Sequence, residues 1–102
     1  MADKRAIISP KETANTPAII STSTAIPNNK ERGYWQIQNL GTNPLFILLG
    51  TGASTSVFHA VLKGGTGNDD GLGGSWGQNS GLIFTGPITV AGTSPRYTIT
   101  EL

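Results

Sequence analysis

Few side chains in this chain are able to do acid–base or metal chemistry: one histidine, His59, and six carboxylates, of which only Asp69, Asp70 and Glu101 fall in the last seventy residues. His59 sits in "TSVFHAVLKG", an alternating run that places Val57, His59 and Val61 opposite Phe58, Ala60 and Leu62. A histidine so placed is expected to make a hydrogen bond in the interior or at an interface rather than to serve as a general base or metal ligand. Serine and threonine hydroxyls are plentiful, but no Gly-x-Ser-x-Gly elbow occurs, and no acid lies near His59 in sequence to complete a triad. The carboxylates are a thin supply for a glycosidase pair. No catalytic residue, no cofactor and no enzymatic activity are expected.

The densest candidate for ligand binding is "KGGTGNDDGLGGSWGQNSG", Lys63 to Gly81, which holds eight of the fourteen glycines. A P-loop needs its lysine after the glycines, whereas Lys63 precedes them. "GGTGNDDGL" matches the start of the calcium-binding Gly-Gly-x-Gly-x-Asp nonapeptide, but Gly71 stands where that motif needs a hydrophobic residue, and the motif works only in stacked copies. An EF-hand would need alternating acids and a closing Glu, which are missing. Asp69 and Asp70 are the metal candidates, for calcium, in an incomplete motif. Glycine, Asn and Asp suit positive φ and turns, so the stretch is expected to be a long loop between strands. Trp76 in its middle is costly to leave in water, and is expected to pack back on its own domain or onto a partner.

The rest of the chain has to position these residues. From Gly33 onward it reads as strand after strand. "GYWQIQN" alternates, with Trp35 and Ile37 on one face and Tyr34, Gln36 and Gln38 on the other; "RYTITEL" likewise sets Tyr97 and Ile99 against Thr98, Thr100 and Leu102. "PLFILLG" is apolar on both faces from Leu45 to Leu49, so it is expected to be central in the core or to have its second face covered by a neighbouring chain. "TSVFHAVLKG", "GLIFTG" and "PITVAG" complete six or seven short strands separated by turns. No window has helical periodicity. The expected fold is all-β, a small antiparallel β-sandwich or barrel of jelly-roll type, spanning 33–102. Residues 1–32 differ: they carry five of the seven basic residues and prolines at 10, 17 and 27. Because those prolines interrupt helix and "AIISTSTAI" is β-branched, this region is expected to be an extended arm.

Charge is scarce, at 13% Asp, Glu, Lys and Arg with a net +1, against the roughly 25% usual for globular chains. Nucleic-acid binding needs several basic contacts and is not expected. There is no cysteine for a disulfide or thiolate site. No apolar run reaches the 18 or more residues of a membrane span, and the N-terminus lacks the apolar stretch of a signal peptide. A seventy-residue body without staples sits near the limit of independent stability, and oligomerisation is the remaining way to bury more apolar area. Ile19, Ile20 and Ile26 of the arm, Leu45, Ile47 and Leu49 of the doubly apolar run, and Trp76 are the residues expected at interfaces.

"GYWQIQNLGTNPLFILLGTGAS" (33–54), the "FH" of the next run, the glycine-rich interruption with "NDDG", and "GPITVAGTSPRYTITEL" (86–102) together resemble small all-β structural proteins of tailed bacteriophage virions. Such proteins decorate or cement a capsid, or belong to head fibres and tail attachments. The resemblance covers the last seventy residues and contains no defined site, so no functional residue is carried over from it. It implies a non-enzymatic component of the virion, assembled in the host cytoplasm. It further implies contacts with other copies, in a homo-oligomer such as a trimer, and with the major capsid protein or other virion proteins. The arm would reach a neighbour, adding a strand or lying across its surface. The second expectation is a carbohydrate- or calcium-binding β module for host-surface attachment in a tail or fibre, with Tyr34, Trp35 and Trp76 stacking on sugar rings; against it, Trp35 alternates with Ile37 as a core residue should.

Overall fold

A computed structural model describes residues 14–102; the first thirteen residues of the expected arm lie outside the described residues. Among the described residues seven strands form: β1 (Thr24–Ile26), β2 (Trp35–Asn39), β3 (Leu45–Leu49), β4 (Ala60–Leu62), β5 (Ser75–Gln78), β6 (Ile88–Ala91) and β7 (Tyr97–Glu101). They build two antiparallel sheets, one in the order β1-β6-β3-β4 and the other β5-β2-β7. The molecule is thus all-β, a small sandwich.

Side-chain alternation sets the layers. In β2 and β7 the pairs Ile37↔Ile99, Trp35↔Glu101 and Asn39↔Tyr97 stand on the inner face, and all six residues are buried. The larger sheet answers with Leu45 and Ile47 of β3, Ile88 and Val90 of β6, Leu62 of β4, and Ala25 and Ile26 of β1. These apolar residues leave water together, each contributing on the order of 1.5–3 kcal/mol when fully buried. β3 is central in its sheet, flanked by β6 and β4. That position explains why its inner residues are fully enclosed.

Four expectations change here. The expected interface residues Leu45, Ile47 and Ile26 are 1%, 0% and 5% exposed, so they are the chain's own core and offer no surface to a second chain. The outward residues of β3 are Phe46 and Leu48, because one residue's step along a strand reverses the face. The run 55–63 forms a strand only at 60–62, and "GLIFTG" forms none: Leu82 is 96% exposed, and the segment is held instead by Phe84 N–H donating to Gln78 Oε1. Finally, residues 14–32 do not project. β1 pairs with β6, and the expected boundary at Gly33 therefore cuts through the body.

Residues 15–20 run along the outer edge of β7. Asn15 N–H donates to Glu101 O (3.1 Å), its Nδ2 to Ile99 O (3.0 Å), and its Oδ1 accepts from Glu101 N–H (2.6 Å). Ile20 and Tyr97 exchange backbone bonds at 2.8 and 3.1 Å, and the Tyr97 hydroxyl donates to Thr22 O at 2.6 Å. An open sheet edge invites pairing with another chain, and here the chain's own amides occupy it. Burial pushes the Tyr97 phenol up to about 12, against the opposing pull of the Thr22 bond.

Arg32 locks the same end of the sandwich. Its guanidinium is buried, with Nε 3.3 Å from Glu101 Oε1, Nη1 donating to the carbonyls of Phe84 and Gly86 (2.9 Å each), and Nη2 donating to Pro27 O (2.7 Å). Asn29 Nδ2 also donates to Glu101 Oε1 (2.8 Å). A buried charge is tolerable only when it is paired and hydrogen-bonded in this way.

Candidate functional site

The glycine-rich stretch is not a free loop. Its second half contains β5, which pairs with β2 through Ile37↔Trp76 and Trp35↔Gln78. Glycine weakens a strand, but the open edge of β2 supplies the ladder, and Trp76 covers Trp35 edge-on with ring centroids 5.1 Å apart at 85°. Trp76 therefore packs on its own domain. Two of the glycines serve close backbone approach: a Cβ at Gly64 would strike the Thr42 carbonyl, and one at Gly73 the Asn39 carbonyl. The side chain of Asn39 ties this junction together, donating to the carbonyls of Asn43, Leu62 and Lys63 and accepting from Gly41 N–H.

The metal candidates are already engaged. Asp70 accepts from Leu72 N–H on Oδ1, and from Thr66 N–H, Thr66 Oγ1 and Gly67 N–H on Oδ2, at 2.8–2.9 Å. The bond from Leu72, with those from Gly67 and Thr66, holds its carboxyl down at about 2. Asp69 forms a two-bond ion pair with Arg96, 2.8 Å from Nε and 2.5 Å from Nη2, and the Arg96 guanidinium lowers its carboxyl below the usual range. Binding calcium would cost both residues these partners. Among the described residues no three His, Cys, Asp or Glu side chains gather as a metal site. His59 is exposed, and its Nδ1 accepts from Leu49 N–H at 3.0 Å, a bond that fastens the end of β3. None of these groups forms a nucleophile–base pair.

Two surfaces remain. The first is the outer face of the larger sheet. The register places Phe46, Val61 and Ala91 abreast across β3, β4 and β6, with Leu48 beside Thr89. Phe58 leans on Phe46 edge-on, ring centroids 5.0 Å apart, and Val57, Phe58 and Val61 are 52%, 39% and 46% exposed. No charged residue lies in β1, β3, β4 or β6. Of the other expected interface residues, Ile19 is exposed, while Ile20, Leu49 and Trp76 pack against the core.

The second surface is an open cleft of about 340 Å³ at β2 and β5, lined by Tyr34, Trp35, Gln36, Ser75, Trp76, Gly77, Gln78 and Asn79. Gln78 is fixed there, its Oε1 accepting from Trp35 Nε1 (2.8 Å) and Phe84 N–H (2.9 Å). Tyr34 O–H donates to Gln36 Oε1 at 2.8 Å. The sequence marked the aromatics of this cleft but not its amides, because Gln78 and Asn79 sit in the stretch expected to be loop.

No family model, curated protein or solved structure matches the chain. Among the described residues no helix is long and apolar enough to cross a membrane.

Proposed function

We propose that this chain is a non-enzymatic structural module that acts by packing against copies of itself and other proteins of a larger assembly, and that the assembly is a phage virion whose capsid it decorates or cements. The observation that carries the first part is the outer face of the four-stranded sheet. Phe46, Phe58 and Val61 form a contiguous apolar surface with no charge among its strands. Exposed patches of this kind on small proteins mark interaction sites. A neutral, apolar sheet face is complementary to an identical one, as a two-fold homo-oligomer requires. The second part is supported by the resemblance of 33–54 and 86–102 to small virion proteins.

The first experiment weighs the full-length protein in solution by sedimentation. The expected result is an oligomer, and the double variant F46S/V61S is expected to be a folded monomer with unchanged circular dichroism. A parent protein that stays monomeric at all concentrations would overturn the self-assembly reading. Imaging of phage particles carrying the labelled protein tests the virion reading separately, and particles without the label would overturn it.

A further inference from the structure

We propose that the cleft at β2 and β5 binds a neutral saccharide. This inference does not depend on the assembly reading, since the cleft belongs to the three-stranded sheet and the apolar face to the other.

Its size is at the small end of the roughly 300–1,000 Å³ that small-molecule sites occupy, which suits a few sugar units on an open surface. The lining contains no carboxylate, ammonium or guanidinium group, so nothing in it would balance a charged ligand. On the face turned away from the core it presents the Tyr34 ring with the Gln36 amide and the Ser75 hydroxyl, while Trp35 and Trp76 share the inner face with Ile37. A sugar ring has the complementary make-up, with apolar C–H faces and a rim of hydroxyls that both donate and accept.

Spare hydrogen-bonding capacity is the second observation. Gln36 Oε1 is taken by Tyr34, and this orients its Nε2, which has no partner among the described residues. The Ser75 hydroxyl and the Asn79 amide likewise make no hydrogen bond among the described residues. The backbone adds more. Asn39 N–H donates to Gly74 O, which fixes the ladder phase so that Trp76 and Gln78 turn their amides toward β2. Ser75 and Gly77 consequently turn theirs away, along the open edge. An apolar peptide side chain entering the cleft would desolvate these groups without satisfying them, whereas hydroxyls would pair with them.

The walls are also set before any ligand arrives. On the inner face beneath them Trp35 is fully buried, Trp76 stands edge-on against it and Gln78 is held by two donors, which fixes the strands that carry Gln36 and Ser75. A site organised in advance loses less entropy on binding.

The test titrates the ¹⁵N-labelled full chain with a glucose trisaccharide and with an N-acetylglucosamine trisaccharide, using a sialylated trisaccharide as the anionic control. Ligand is carried to about 10 mM, enough to saturate a site with a Kd near 1 mM. The expected result is saturable shifts at the amides of Gln36, Ser75 and Gly77 with at least one neutral sugar. Gln36→Ala and Ser75→Ala, both at exposed positions, are expected to weaken binding roughly fivefold each through a lost hydrogen bond, with the remaining spectrum and the thermal midpoint unchanged. The inference is overturned if neither neutral sugar gives saturable shifts, if the shifts map elsewhere, if the sialylated sugar binds tighter, or if both variants bind as the parent does.

Discussion

Among the described residues two ion pairs connect distant parts of this chain, and they share little beyond their chemistry. Arg32 and Glu101 meet inside the sandwich, with the Arg32 side chain fully enclosed and three backbone carbonyls completing its coordination. Arg96 and Asp69 meet at the surface, with side chains 34% and 43% exposed. Water competes for the second pair and has little access to the first, so the same charges act as a fastening in one place and as a weak restraint in the other. The lesson is that charge in a low-charge protein has to be located before it is interpreted.

The contrast is most strongly tested by Arg32→Ala. This variant removes the guanidinium from its place beside Glu101 and frees three buried carbonyls, and it is expected to cost about 3–5 kcal/mol in urea unfolding. An effect no larger than that of Arg96→Ala would abolish the distinction. Asn15→Ala, which removes the side-chain cap on β7 near Glu101, is expected to cost about 1–3 kcal/mol and to speed hydrogen exchange at the Glu101 amide. Tyr97→Phe follows, at about 1 kcal/mol for the lost bond to Thr22. The Tyr97 phenol is raised in the folded state, so the stability linked to it is intact below about pH 10 and lost as pH rises through about 12. Alkaline melts of the parent should show this fall, and melts of Tyr97→Phe should lack it.

Effects at the surface are smaller. The Asp70 carboxyl is lowered to about 2, so its contribution is present above the ordinary carboxylate pKa and disappears as pH falls toward 2. Hydrogen exchange at the amides of Thr66, Gly67 and Leu72 should therefore rise between pH 4 and 2 once corrected for intrinsic rates. Asp70→Asn should show the loosened loop already at neutral pH. Arg96→Ala is expected to move the global midpoint least of all, and what it does move should shrink further in high salt.

How much of this was legible in the sequence varies with the kind of signal. Period-two alternation marked β2 and β7 with the correct faces, because a half-buried strand writes its geometry into residue type. Apolarity on both faces marked β3 as unusual and left two explanations open. The structure shows β3 central in its sheet, with Leu45 and Ile47 in the core and Phe46 and Leu48 on the outer face. β5 was hidden because its pairing is supplied by β2, and "SWGQ" carries little strand preference of its own. Arg32 looked like one of several solvated charges of an arm, since nothing in a lone arginine tells of the carbonyls that will surround it. Trp76 was visible as an aromatic out of place, whereas Gln36 and Gln78 became meaningful only once the ladder set Gln36 opposite Gly77 and Gln78 opposite Trp35.

The side-chain bond between Asn15 and the Glu101 amide spans 86 positions of sequence, and β2 pairs on one side with β7. During synthesis, residues 15–20 and β2 leave the ribosome long before the strand that both of them flank. Until β7 emerges, β2 is without one of its two neighbours and Arg32 is without Glu101. The small sheet therefore has to close late and from its middle, through contacts of very high sequence separation, which makes folding slow for a chain this short. For that interval the early segments must stay soluble with half their pairing missing.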